Sequence, residues 1–327
     1  MTPTRMRALV VTAHGGRDVL EVQQLPVPEP GPNELLVQVA ASGVNFKDVY
    51  LREAIYPGTP PFVLGDECAG HVVAMGHDVT DFSVGDEVAT ASGTGTHAEF
   101  ALVPAAEAVA VPAGTALQTA AAVMLQGMTA HYLVNSTYPV SEGDHALVHA
   151  AAGGVGNLLV QLVHGRLGSV VATVGSAEKE RIAADAGADV VLRYDQVDDL
   201  AAAVREVCEG GVHVAYDGVG QATFDASLGA LRRRGSMVLY GASSGPVPPV
   251  DPQRLNRAGS LFLTRPTLKD YVATREELLW RAGEILDAVR DGSLHVNVGG
   301  RYPLESAADA YRDLEGRKTI GKLLIVP

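Results

Sequence analysis

The stretch that most constrains this chain is AAAGGVG at Ala150–Gly156, set between a short apolar run and a helical one. The run before it, HALVHA at His145–Ala150, has the length and composition of a buried strand. After it, Leu158, Leu159, Leu162, Val163 and Leu167 recur at helical spacing until Gly168. A strand that turns on glycines into a helix is the context of a dinucleotide-binding fingerprint. Here the pattern is Ala151-x-Gly153-x-x-Gly156, with alanine in the first position. Gly153 and Gly154 let backbone N–H groups approach a pyrophosphate, and the helix N-terminus adds partial positive charge. Gly156 permits close packing of helix on strand. The plain alternative is a tight turn that holds no ligand.

The rest of the sequence supplies the context such a turn needs. SVVATV, DVVLRY, VHVAYDG, SMVLYG and GSLFLTRP read as strands, alternating with helices AEKERIAADAG, DDLAAAVREVCEG and TFDASLGALRRRG. With the strand before the glycines this makes six strands in an α/β, doubly wound parallel sheet, a Rossmann cofactor domain. Upstream, LLVQVAASGVN, HVVAMG and GDEVAT read as strands of an irregular, mainly antiparallel β part. Downstream come an amphipathic helix from Thr274 to Arg290, a helix in SAADAYRDLEG and a last strand, GKLLIVP. A length of 327 residues suits two such domains.

Composition narrows the partners. A net charge of −13 argues against nucleic acid or an anionic membrane, though a few local cations suffice for one phosphate. Two cysteines rule out a disulfide framework or a four-cysteine zinc lobe. His145 and His149 fall at opposite ends of one strand and read as core or strand-end residues. The segment Ala108–Val140 carries no formal charge, but Pro112, Gly114, Gln118, Gln126, Gly127 and Asn135 interrupt it. It reads as a buried helix with flanking loops, not a membrane span. The N-terminus lacks a cleavage pattern. The expectation is a soluble, cytoplasmic protein.

The second strand chooses between the two nicotinamide nucleotides. It ends at Val174, roughly 20 residues beyond the glycines, where an NAD enzyme places an acid for the ribose 2′-OH. This chain continues Gly175-Ser176-Ala177-Glu178-Lys179. A hydroxyl and a lysine suit a 2′-phosphate, so NADPH is expected over NADH. The bland alternative for Lys179 is a solvated surface lysine.

With GVNFKDVYLREAIYP, HAAAGGVG, TVGSAEK, YDGVG, YGASSG, LTRP and GRKTIGKLLIV added, the chain resembles the zinc-independent quinone oxidoreductases of the medium-chain dehydrogenase/reductase superfamily. That group includes bacterial NADPH:quinone reductases and zeta-crystallin. The resemblance spans nearly the whole chain. It implies a GroES-like catalytic domain from residues 1–127 and 267–327, with the Rossmann domain, 128–266, inserted. Zinc-containing relatives carry ligands where this chain has Asn45 and Asp66, so no zinc is expected. By the same match Asn45 and Asp48 border the nicotinamide end, and Thr129 lies beside the nicotinamide ribose. Gly154 and Val155 hold the pyrophosphate, between Gly153 and Gly156. Gly175, Ser176 and Lys179 meet the adenosine phosphate, with Tyr194 nearby. Gly218, Gly241, Ser243 and Ser244 line the groove, while Leu263, Thr264 and Arg265 run along the nicotinamide amide. Arg317 is carried over as a second cation near a phosphate, or else as a surface arginine. Lys47 replaces an apolar residue of the family, and Gln126-Gly127-Met128-Thr129 departs from Lys-Gly-Leu-Thr.

The implied reaction is hydride transfer from NADPH to a quinone. A conjugated acceptor polarises itself and needs positioning more than a Lewis acid. Tyr50 and Tyr56 are the candidate proton donors of the matched loop, with Asn45 as an orienting amide. Their alternative is to shape an apolar pocket. Two further readings stay open: reduction of enones, enoyl groups or other activated alkenes, and a crystallin-like structural protein that only keeps NADPH. The resemblance also implies a homodimer, through the edge strand around Leu261–Arg265.

Overall fold

Short alternating runs punctuated by glycine build the N-terminal sheets. In the computed structural model, which describes residues 2–317 and 319–327, strand Glu34–Val44 pairs antiparallel with Cys68–Met75 and Phe100–Pro104. Glu87–Thr90 and Val109–Ala110 extend this sheet on one side, and Lys322–Val326 and Val298–Pro303 on the other. A three-stranded sheet joins Leu20–Pro26, Arg5–Val11 and Phe62–Val63. The late strand is therefore stitched into the early sheet: Leu323 lies opposite Val44, and Leu324 opposite Gly43. Its apolar side chains, with Tyr311 from helix Ala307–Glu315, share a core with Leu9, Val44 and Leu64.

The second sheet has six parallel strands. In spatial order they are Val190–Arg193, Ser169–Val174, His145–Val148, Val212–Asp217, Leu231–Leu239 and Phe262–Thr264. This is the doubly wound order, and its switch point lies between His145–Val148 and Val212–Asp217. One local expectation fails. TFDASLGALRRRG is helical only over Phe224–Ala230, and Leu231–Gly235 opens the next strand. Arg234 there takes a φ of 57°, and the register to Val212–Asp217 shifts at that point. The uncharged segment after Ala108 contains a buried helix, Leu117–Tyr132, that continues as a π-helical turn over Leu133–Thr137. No helix among the described residues is long and apolar enough to cross a membrane.

The chain divides into two compact units, Met1–Leu125 with Thr274–Pro327, and Gln126–Ala273. The second crossing falls later than the expected 266/267. The short helix Leu268–Tyr271 stays with the parallel sheet because Tyr271 stacks on Tyr132, with ring centroids 4.3 Å apart and planes at 9°.

Candidate functional site

In the parallel-sheet unit the glycine turn is built as its sequence requires. Ala150 takes a left-handed φ of 51°, and the helix Gly154–His164 begins at once with Gly153 as its cap. A Cβ on Gly156 would lie 2.4 Å from the carbonyl oxygen of Ala150, so glycine is what lets helix and strand approach. A Cβ on Gly154 would lie 1.8 Å from Gln126 Oε1, whereas one on Gly153 would meet only Ala150 O at 3.1 Å. Gly153, Gly154 and Val155 are half-buried. Bare backbone N–H groups at a helix start suit an anion in general.

The neighbouring strand ends in a second turn at the same edge of the sheet. Buried Asp217 accepts from Val219 N at 2.8 Å and Gly220 N at 2.9 Å through Oδ1. Its Oδ2 accepts from Thr223 Oγ1 at 2.7 Å and Ser227 Oγ at 2.8 Å. The turn Gly241–Ser244 locks onto this one. Ser243 N donates to Gly218 O at 3.2 Å, and Ser244 Oγ donates to Val219 O at 2.7 Å while accepting from Ala222 N at 3.0 Å. The Ser244 hydroxyl thus ties two turns together.

Beyond Val174, Ser176 caps the helix Ala177–Asp185 by accepting from Lys179 N. Gly175 is exposed, and a Cβ there would meet nothing within 4 Å. Half-buried Lys179 shares this helix start with the Ser176 hydroxyl. Tyr194 N donates to Val174 O at 3.1 Å, which brings the tyrosine beside the Gly175–Lys179 turn. Thr129 is buried on helix Leu117–Tyr132, and half-buried Leu263 and Thr264 lie on the last strand of the sheet. Exposed Arg265 follows them and donates to Pro266 O.

The other unit holds Asn45, Asp48, Tyr50, Tyr56 and Arg317. Asn45 precedes helix Phe46–Arg52, and its N–H donates to Asp48 Oδ2 at 2.8 Å. Its amide is saturated. Nδ2 donates to Glu67 Oε2 at 2.9 Å and Gly43 O at 3.1 Å, while Oδ1 accepts from Lys322 Nζ at 2.6 Å. Lys322 also donates to Glu67, whose other oxygen accepts from Leu125 N at 2.6 Å. Glu67 and Lys322 are 0% and 2% exposed, so each charge depends on the other. A Cβ on Gly43 would sit 2.1 Å from Glu67 Oε2, so only glycine admits the pair. Asn45, expected as an orienting amide for the acceptor, has both amide hydrogens committed to Glu67 and Gly43.

Asp48 is 2% exposed and accepts from Tyr311 Oη at 2.8 Å. The same hydroxyl lies 2.7 Å from His97 Nε2, and His97 Nδ1 lies 2.7 Å from Ser42 Oγ. Burial, with Asp48 beside it, pushes the Tyr311 phenol well up. Lys47 pairs with Asp66; burial raises the Asp66 carboxyl, and Lys47 pulls it part of the way back. Tyr50 and Tyr56 meet edge to face at 5.4 Å, and Tyr56 is 36% exposed. Arg317 follows helix Ala307–Glu315, exposed, with a φ of 54°.

The comparisons agree with this architecture. A family described as alcohol dehydrogenase GroES-like domain matches residues 31–113, and one described as zinc-binding dehydrogenase matches 154–277. The chain is 40% identical to a quinone oxidoreductase of Salmonella typhimurium, over 96% of this chain and 97% of that one. It belongs to the quinone oxidoreductase family of the medium-chain dehydrogenases/reductases. A 2-haloacrylate reductase from Burkholderia is 39% identical over 98% of each chain. A mycobacterial protein solved with NADPH superposes with a TM-score of 0.96 at 50% identity, covering 98% of this chain and 100% of that one.

The zinc named by one matching family finds no ligand set in this quinone oxidoreductase family member. Asn45 is locked, Asp66 is paired with Lys47, and Glu67 is paired with Lys322. Two ammonium groups already balance these carboxylates, so the residues do not fit a zinc ion. Among the described residues no group of three or more His, Cys, Asp and Glu is arranged for a metal. Sequence reasoning missed Lys322, Glu67 and Gly43. The available signal was a lysine heading the apolar run LLIV, which needs a counter-charge once that strand is buried.

Proposed function

We propose that this chain is an NADPH-dependent quinone oxidoreductase that passes hydride to a conjugated carbonyl acceptor without zinc. The carrying observation is the helix start at Ser176 and Lys179, which offers a hydroxyl and a cation where an NAD enzyme keeps an acid. The Salmonella relative's name and the mycobacterial complex with NADPH support the reading. Bound NADPH supplies the hydride. Gly153, Gly154 and Val155 hold the pyrophosphate on the helix start. Gly175, Ser176, Lys179 and Tyr194 receive the adenosine phosphate. Tyr50 and Tyr56 are the proposed proton donors to the reduced acceptor, and Asn45 keeps the Lys322–Glu67 pair in register. A second reading, reduction of activated alkenes, is favoured by the Burkholderia relative and by the Lys47–Asp66 pair two residues beyond Asn45 and one before Glu67.

The deciding assay is NADPH oxidation against 1,4-quinones, enones and enoyl thioesters, each with and without a chelator. Quinones should turn over fastest, and the chelator should change nothing. Lys179→Ala should weaken NADPH about tenfold by removing one charge-assisted contact, and NADH less than about twofold. Equal losses in the two dissociation constants would show that Lys179 does not read the 2′-phosphate.

We also propose a cytoplasmic homodimer. Phe262, 63% exposed, lies on a strand at the end of the sheet order, and such an edge invites pairing. Sedimentation should give a dimer at micromolar concentration, and Phe262→Lys a monomer. A monomeric parent chain would remove the proposal.

A further inference from the structure

Beneath the Gly175–Lys179 turn runs a chain of hydrogen bonds that reaches Tyr194. Buried His149 has Nε2 2.8 Å from Ser227 Oγ, and Nδ1 2.8 Å from Thr173 Oγ1 and 3.1 Å from Tyr194 Oη. Thr173 Oγ1 and Tyr194 Oη are 2.6 Å apart. The proton directions follow from counting donors. Ser227 has one hydroxyl hydrogen and two oxygen acceptors for it, the Asp217 carboxylate at 2.8 Å and Thr223 O at 3.0 Å. The buried carboxylate is the strongest acceptor within reach, so Ser227 gives its hydrogen there and accepts from His149, which puts the imidazole proton on Nε2. Burial holds the ring neutral by pushing its pKa down, so Nδ1 is an acceptor. Nδ1 is then filled in one of two orders: Thr173 donates to it and Tyr194 to Thr173, or Tyr194 donates to it and Thr173 to Tyr194; both turn the phenol hydrogen inward. The phenol proton points inward, away from the turn, although the Tyr194 side chain is 38% exposed.

A phosphate at the Gly175–Lys179 turn accepts hydrogen bonds and gives none at full ionisation. We infer that His149 is a specificity-positioning residue whose tautomer sets whether Tyr194 can donate to the 2′-phosphate. This rests on the NADPH reading above. With the proton on Nδ1, every link reverses: His149 donates to Thr173, Thr173 to Tyr194, and Tyr194 outward. On the other side Ser227 turns its hydrogen to Nε2, and Asp217 Oδ2 keeps Thr223. The four hydrogens of Tyr194, Thr173, His149 and Ser227 are all conserved, so the switch costs no net proton. NADH, with a hydroxyl in place of the phosphate, can donate to the Tyr194 oxygen and leaves the chain as it is.

The test is nitrogen-15 NMR of the histidine-labelled full chain, with the His149 signals assigned by their loss in His149→Phe. The expected result is a proton on Nε2 in the free chain and with NADH, and on Nδ1 with NADPH. In parallel, Thr173→Val and His149→Phe should each lower NADPH affinity about tenfold and NADH affinity less than about twofold, and neither should add to Tyr194→Phe. The same tautomer in all three states, or losses that simply add, would overturn the role of His149 while NADPH preference stands. Equal affinity of the unaltered chain for NADPH and NADH would remove the cofactor reading itself, and the inference with it.

Discussion

Lys322→Met should destabilise the protein by about 3–5 kcal/mol, because it leaves the Glu67 carboxylate buried without its cation. The arithmetic of the site explains the size. Glu67 would keep only the Asn45 amide and the Leu125 N–H as donors, neither of them charged. Methionine fills the volume of the lysine stem, so little of the loss comes from packing. The double variant Lys322→Met with Glu67→Gln should recover at least half of that loss, since no unpaired charge remains. Urea unfolding of the parent, the two single variants and the double closes the cycle. Losses in the single variants of less than about 1 kcal/mol would mean that water reaches the pair and screens it.

Gly156→Ala should cost about 2–3 kcal/mol and abolish measurable NADPH binding. The obstacle is backbone: the new methyl would meet the Ala150 carbonyl oxygen at 2.4 Å and its carbon at 2.9 Å. No rotamer relieves that contact, so the turn must open and its N–H groups lose their aim. Gly154→Ala is the milder change, because its obstacle is the end of the Gln126 side chain, which can swing aside. Gly283 is the control. It lies in helix Arg275–Arg290 with nothing within 4 Å of a Cβ, so alanine there should add roughly 0.5–1 kcal/mol. Unfolding curves and an NADPH titration read all three. A Gly156→Ala chain that binds NADPH as the parent does would refute the packing role given to this glycine.

Much of the architecture was legible because it is written in local patterns. The Ala150–Gly156 turn, the strands after it and the helix that opens at Ala177 each follow from a few neighbouring residues. Leu231–Gly235 misled because Leu-Arg-Arg-Arg continues a helical pattern without interruption. The strand Val212–Asp217, distant in sequence, decides the outcome by pairing. Tyr271 falls with residues 126–273 through a contact of the same distant kind, since its stacking partner Tyr132 lies far back in the chain. The site around Asn45 was legible in its residues but not in its bonding. The Asn45 amide is committed to Glu67, Gly43 and Lys322, and the lysine is separated from Glu67 by 255 positions. His149 was passed over as a core histidine, which it is by burial; its hydrogen-bond partners give it a second property.

The late strand Lys322–Val326 also bears on how the molecule is made. Residues 126–273 form their unit from one continuous stretch, which can close while translation proceeds. The sheet around Glu34–Val44 cannot. Until the ribosome has added Lys322, Glu67 has no counter-ion and Gly43 and Val44 have no strand opposite. The nucleotide-type unit can therefore mature first, and the half that carries Tyr50 and Tyr56 is completed only once Lys322–Val326 has been added.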